Sequence, residues 1–169
     1  MAWTIEDPIV VNSVKTAKIT GYAQELDDFD LSECMVHRGG LTLITQRLEL
    51  CLQHTSAVEF IARVDQLALT ILTSYAQRFF NRPLSPVQVA QQYQPAIATL
   101  GGDHPLLMAR LSVNAPCEQL DLPDCRPKSW SGLVVNPVID IKGLWFTEDA
   151  CGLGIEVLKL EYDFRMYAV

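Results

Sequence analysis

The stretch Leu153-Gly154-Ile155-Glu156-Val157-Leu158-Lys159-Leu160-Glu161-Tyr162-Asp163-Phe164-Arg165-Met166 decides the fold. From Leu158 onward, apolar residues (Leu158, Leu160, Tyr162, Phe164, Met166) alternate with charged ones (Lys159, Glu161, Asp163, Arg165). A period of two is the mark of a strand with one buried and one wet face. Upstream, Leu153, Ile155 and Val157 are apolar in the opposite phase. The phase flips at Val157-Leu158, which predicts a β-bulge there.

Working back from this strand, Leu133 to Ile141 is strand-like, and Pro137 inside it predicts an edge or a bulge. Leu107, Ala109, Leu111 and Val113 alternate as another strand. Between them, residues 115–132 hold Pro116, Pro123 and Pro127 and read as a long Pro-rich loop.

Nearer the N-terminus, Gly39-Gly40 lies between two extended runs, a hairpin signal. Pairing Arg38 with Leu41 sets Met35 against Ile44, Leu31 against Leu48 and Phe29 against Leu50, all apolar on one face. Thr45, Arg47, Glu49 and Gln53 then share the opposite face. A one-residue slip would invert every side chain, so the agreement supports this register. Val14 to Leu26 alternates weakly as a first strand, and residues 1–13 read as an arm carrying Pro8 and Ile9-Val10-Val11.

Two helices follow the hairpin. Ser56-Ala57-Val58-Glu59 has the form of a capping box. Val58, Ile61, Val64, Ala68, Ile71, Leu72, Tyr75 and Phe79 then recur at helical spacing, with an end near Phe80, before Pro83. Ser85-Pro86-Val87-Gln88 starts a shorter helix with Pro86 in the first helical position. The expectation is therefore one α+β domain over residues 14–169. An antiparallel sheet, made of an N-terminal β-meander and the C-terminal strands, packs on one long and one short helix.

The bulk composition fits this domain. With 169 residues, 49% hydrophobic and 20% charged, the chain can build a core without staples. A net charge of −7 sets it against phosphate backbones and anionic membranes, so neither nucleic acid nor membrane is an expected partner. The N-terminus lacks the basic and apolar regions of a secretory signal, and no apolar run reaches the ~18 residues of a membrane span. Five cysteines at irregular spacing (Cys34, Cys51, Cys117, Cys125, Cys151) argue against a disulfide framework and for a reducing interior.

Candidate chemistry is sparse. Cys34-x2-His37 and Cys51-x2-His54 have zinc-like spacing, with thirteen residues between His37 and Cys51. The hairpin register opposes a zinc site, because Cys34 opposite Thr45 leaves Cys51 roughly 20 Å along the strand. Small buried cysteines and ordinary histidines are the default. A Cys51–His54 nucleophile requires a depressed thiol pKa that nothing in the pattern supplies. Cys117 and Cys125 in the loop can pair or stay reduced. Glu25, Asp27, Asp28 and Asp30 lack the glycine and terminal acid of a calcium loop. Gly152-x-Gly154 and Gly101-Gly102 lack the residues of a phosphate cradle. Trp3, Trp130 and Trp145 lie outside the clear core stripes and read as packing anchors or subunit contacts. No residue is assigned to catalysis, cofactor binding or metal binding.

The segment from Gly143-Leu144-Trp145 to Val169, with Asp163-Phe164-Arg165-Met166-Tyr167, resembles the closing strands of tail-terminator and related neck proteins of tailed bacteriophages. The Leu41–Gln53 run leading into Ser56–Phe80 is similar to their middle. Together these cover under half the chain. An opening helix is expected in that family, whereas this chain opens with an arm and strands, and Arg82 to Gly132 has no counterpart. The resemblance implies a non-enzymatic subunit that forms a homo-oligomeric ring with neighbouring virion proteins, without a cofactor. It would sit in the virion after assembly in the host cytoplasm. The residues alone leave two other classes open, a cytoplasmic small-ligand or regulatory domain and a Cys/His enzyme.

Overall fold

The computed structural model describes residues 3–11, 14–20, 31–39, 47–99, 104–119 and 127–162. It is an α+β fold. Four short strands open the chain: β1 (Thr4–Ile5), β2 (Ile9–Val11), β3 (Val14–Ala17) and β4 (Ile19–Thr20). β2 folds back on β3, so the tip of the expected arm is a sheet strand, while β1 and β4 form a separate pair. Then come β5 (Cys34–Gly39), β6 (Arg47–Cys51) and the helices α1 (Thr55–Ser74), α2 (Ala76–Phe80) and α3 (Pro86–Gln92). Last are β7 (Tyr93–Gln94), β8 (Ile97–Ala98), β9 (Leu106–Leu111), β10 (Cys117–Gln119), β11 (Val134–Phe146) and β12 (Cys151–Tyr162).

Strands β5, β6, β9, β12 and β11 pair in a closed cycle, β11 returning to β5 through Val134↔Met35 and Val135↔Cys34. Most of these pairs are antiparallel, but β12 runs parallel to β7, β9 and β10. The inward positions share one register face: Val36, Leu50 and Leu107 line up across β5, β6 and β9, and Leu111, Val157 and Ile139 across β9, β12 and β11. Every one of these six is buried. Closure satisfies backbone groups that an open sheet leaves at its edges. α1 lays Phe60, Ile61, Val64, Ala68 and Leu72 into the same core.

The long β11–β12 hairpin bends at two irregularities. Between Val138↔Lys159 and Ile139↔Val157 the register slips by one, which leaves Leu158 as the extra residue, 39% exposed. This is the bulge read from the phase flip. On β11, Lys142 is extra between Ile141↔Ile155 and Gly143↔Gly154. Gly143 has φ +126°, and a Cβ there would overlap the Ala17 carbonyl oxygen and come within 2.8 Å of Lys18 Cα. Only glycine fits so close to β3. Pro137 sits beside the first bulge, where no strand among the described residues pairs with β11 on the side away from β12.

Three sequence readings change. Gly39 is a strand residue, not the start of a two-residue turn: it pairs with Leu48, Arg38 with Glu49 and Met35 with Cys51, while Gly40 lies outside the described residues. β6 keeps its expected phase, Leu48 and Leu50 inward, but β5 is inverted: Cys34 and Val36 are buried and Met35 is 40% exposed. The partners proposed at Phe29, Leu41, Ile44 and Thr45 lie outside the described residues. The register decides the β5 phase: Val36 is paired with Leu50 and takes its inward face, which turns Met35 to the other side. Second, the box at Ser56 does not form. α1 starts at Thr55 with His54 as N-cap and no side-chain cap, so Ser56 lies inside the first turn where it cannot act as N-cap. Third, the helical run is offset at Tyr75, which is 55% exposed while Ala76 and Phe79 are buried. By contrast, the Ser85 box is complete: Gln88 N–H donates to Ser85 Oγ at 3.3 Å and Ser85 N–H to Gln88 Oε1 at 2.8 Å.

Leu107, Ala109 and Leu111 face inward as expected, but Val113 lies in a turn and is exposed. The Pro-rich segment contains β10, paired parallel with the end of β12.

Candidate functional site

Two surfaces stand out. The first is the edge at β2. Its residues Ile9, Val10 and Val11 carry no charge, and Ile9 and Val10 are 62% and 67% exposed. Successive strand residues point to opposite faces, so both sides of this edge are apolar. Beside it, Val10 and Lys15 border a groove of about 590 Å³ floored by Phe79, Phe80 and Phe146. Phe146 packs edge-on against Phe79 (5.4 Å between centroids) and tilted against Phe80 (5.7 Å). β2 is the terminal strand at one end of the large sheet and β10 at the other. β10 is guarded differently: Lys159 Nζ bonds both Glu118 (2.9 Å) and Glu161 (2.8 Å) there. Charges of this kind blunt an edge, and β2 has none.

The second surface is a cleft of about 570 Å³ on the outward face of the strand cycle. β9 and β12 pair directly only at Arg110–Leu111 with Glu156–Val157. Beyond that they part, with β8 inserted on β9 and β7 on β12. The cleft opens above this split, with Gln94-Pro95-Ala96 on its floor. One row of residues crosses it in register: Arg47 opposite Arg110, Arg110 opposite Glu156, Glu156 opposite Asp140. Lys142 binds the acidic half, 2.7 Å from Asp140 and 3.2 Å from Glu156, and these contacts, Asp140 first, hold its ammonium above the usual lysine pKa. Trp145 lies across the glycines of β12: a Cβ on Gly152 would stand 3.0 Å from its Cζ2 and one on Gly154 3.8 Å from its Cδ1.

The floor is held from the core side by Asp65, the one buried charged residue among those described. Its Oδ1 accepts the Tyr93 hydroxyl at 2.6 Å, and its Oδ2 accepts the N–H groups of Ala96 (2.8 Å) and Ile97 (3.3 Å). Burial pushes its carboxyl above the ordinary range, against the pull of those three bonds. The Tyr93 phenol is pushed up for the same reason and by the neighbouring carboxylate. Asp65 therefore fixes the β7–β8 turn to α1, a structural duty. Its position was open to reading: Asp65 falls four residues after Ile61 and three before Ala68, an acid inside an apolar stripe.

The residues weighed for chemistry fall apart in space. Met35↔Cys51 brings Cys34 next to Cys51 along adjacent strands, so the expected ~20 Å separation does not hold. Facing separates them instead, since Cys34 points with Val36 and Cys51 with Met35. Cys34 Sγ bonds Leu31 O at 3.1 Å, and His54 Nε2 lies 3.4 Å from Ser32 Oγ. Among the described residues no three His, Cys, Asp or Glu side chains come together in a metal-binding group. Burial raises the Cys51 thiol pKa and pushes Cys151 up to about 11, opposite to what a thiolate nucleophile needs. Cys117 is buried beside Ala115 O, while Cys125, Gly101-Gly102 and the acids from Glu25 to Asp30 lie outside the described residues. Trp130 is fully buried edge-on against Tyr162 (5.3 Å), a core anchor and not a surface contact.

No protein-family model matches the chain, and neither the curated proteins nor the solved structures hold a significant match to it. Among the described residues no helix is long and apolar enough to cross a membrane.

Proposed function

We propose that the chain is a non-enzymatic structural subunit that self-associates through its β2 edge into a ring. It would serve as a virion component of the tail, neck or baseplate kind that the C-terminal segment resembles. The supporting observation is the uncharged, doubly exposed β2, bordered by a groove with a phenylalanine floor. A strand added there gains main-chain bonds along the edge and a pocket for one side chain. Covering what remains exposed of Ile9 and Val10 would contribute roughly 1–2 kcal/mol each. A ring requires β2 to meet a different surface of its neighbour, such as the β10 edge, whereas β2 meeting β2 closes a two-fold dimer.

Light scattering after size exclusion, with electron microscopy of the assemblies, tests this reading. The expected result is an oligomer larger than a dimer, with rings in projection. Val10→Lys should give a monomer of unchanged thermal stability. A chain that stays monomeric at all concentrations, or a Val10→Lys variant that assembles as before, refutes the proposal.

A further inference from the structure

We infer that the outward cleft is a binding site for a small molecule carrying a carboxylate or phosphate on a flat apolar body. The two halves of its charged row differ. Lys142 is matched by Asp140 and Glu156, but neither the Arg47 nor the Arg110 guanidinium has a salt bridge or side-chain hydrogen bond among the described residues. They also stand directly opposite each other on β6 and β9, an arrangement that destabilises a strand pair. Arg110 faces Glu156 in register but forms no salt bridge with it, so two adjacent guanidiniums keep their donors available beside the cleft. They are a ready clamp for an oxyanion, which each can bind through two parallel N–H donors.

The remaining wall suits the rest of such a ligand. Gly152 and Gly154 let the Trp145 indole come close to the β12 backbone, and Trp145 lines the cleft. An indole face takes a planar group by stacking. The Asp65-anchored turn supplies a fixed floor at Pro95-Ala96. The volume is in the range of small-molecule sites. This inference does not depend on assembly, because β2 is not part of the cleft.

The test titrates the full chain with benzoate, inorganic phosphate and benzyl alcohol, followed by the indole N–H resonance of Trp145. Loss of that resonance in Trp145→Phe identifies it. Benzoate should bind saturably, phosphate more weakly, and benzyl alcohol not at all. Arg47→Gln and Arg110→Gln should each weaken benzoate at least about tenfold. The thermal midpoint of Arg47→Gln should match or exceed the wild type, since it removes a like-charge contact without touching the Arg110–Glu156 pairing. Absence of saturable binding by benzoate and phosphate below about 10 mM overturns the site. So does undiminished binding in either variant, or a lowered midpoint in Arg47→Gln, which would make that arginine structural. Equal affinity for benzoate and phosphate removes the indole from the site and overturns the flat-ligand part.

Discussion

Replacing Asp65 separates two roles that its carboxylate combines. In Asp65→Ala, three donors lose their acceptor: the buried Ala96 N–H and the half-buried Ile97 N–H and Tyr93 hydroxyl. A buried donor left without a partner costs about 1–3 kcal/mol, and the two half-buried groups can recover part of their loss from water. The sum is roughly 2–5 kcal/mol, at the severe end for one substitution. Asp65→Asn keeps an oxygen for Ala96 and Ile97 and presents an amide to the Tyr93 oxygen, without a charge to desolvate. Its stability should stay within about 1 kcal/mol of the wild type. The pH dependence supplies a second signature. Because the folded carboxyl is raised above its ordinary 3.8, the folded state holds its proton more tightly than the unfolded one. The favourable contribution is complete below the unfolded value and is lost as pH rises through the folded one. Asp65→Asn should therefore gain on the wild type as pH climbs out of the acid range. Urea unfolding of the three proteins across that range measures both effects, provided the m-value is constant. An Asp65→Ala cost under 1 kcal/mol, or equal damage from Ala and Asn, would refute the idea that this acceptor ties the turn to α1.

Other substitutions probe the strands and thiols. Gly143→Ala should cost about 2–4 kcal/mol in chemical unfolding, from its positive φ and overlap with Ala17 and Lys18. Leu158→Lys should change stability by less than about 1 kcal/mol, because the bulge turns it outward, while Leu160→Ala should cost about 2–5 kcal/mol in the core. Cys34, Cys51, Cys117 and Cys151 should react with a disulfide reagent near neutral pH only as fast as the native state opens, since all four are buried.

Much of the fold was legible from side-chain periodicity. The flip at Val157-Leu158 located a bulge to the residue, and Ser85-Pro86 located a helix start. These signals are local: each depends on a few neighbours along one chain segment. What failed depended on distant partners. The β5 phase could not be read from Gly39-Gly40, because β5 is held on its other side by Val134 and Val135. Trp130 is the loop residue its sequence suggested, but its full burial could not be read, because Tyr162, its packing partner, lies far along the chain. The cleft was partly visible, as Arg47 sat on the wet face of its strand. Its pairing with Arg110 needed the β6–β9 register, which no pattern within either strand contains.

The seam between β5 and β11 has a consequence for how the chain matures. Val36 N–H bonds Leu133 O and Gly132 N–H bonds Val36 O, both at 2.8 Å, so segments about a hundred positions apart finish the circle. Contacts this remote in order are entropically late and slow. While the chain emerges from the ribosome, β5 and β6 wait with a bare flank until β11 is made, a window in which another nascent copy competes for the same hydrogen bonds.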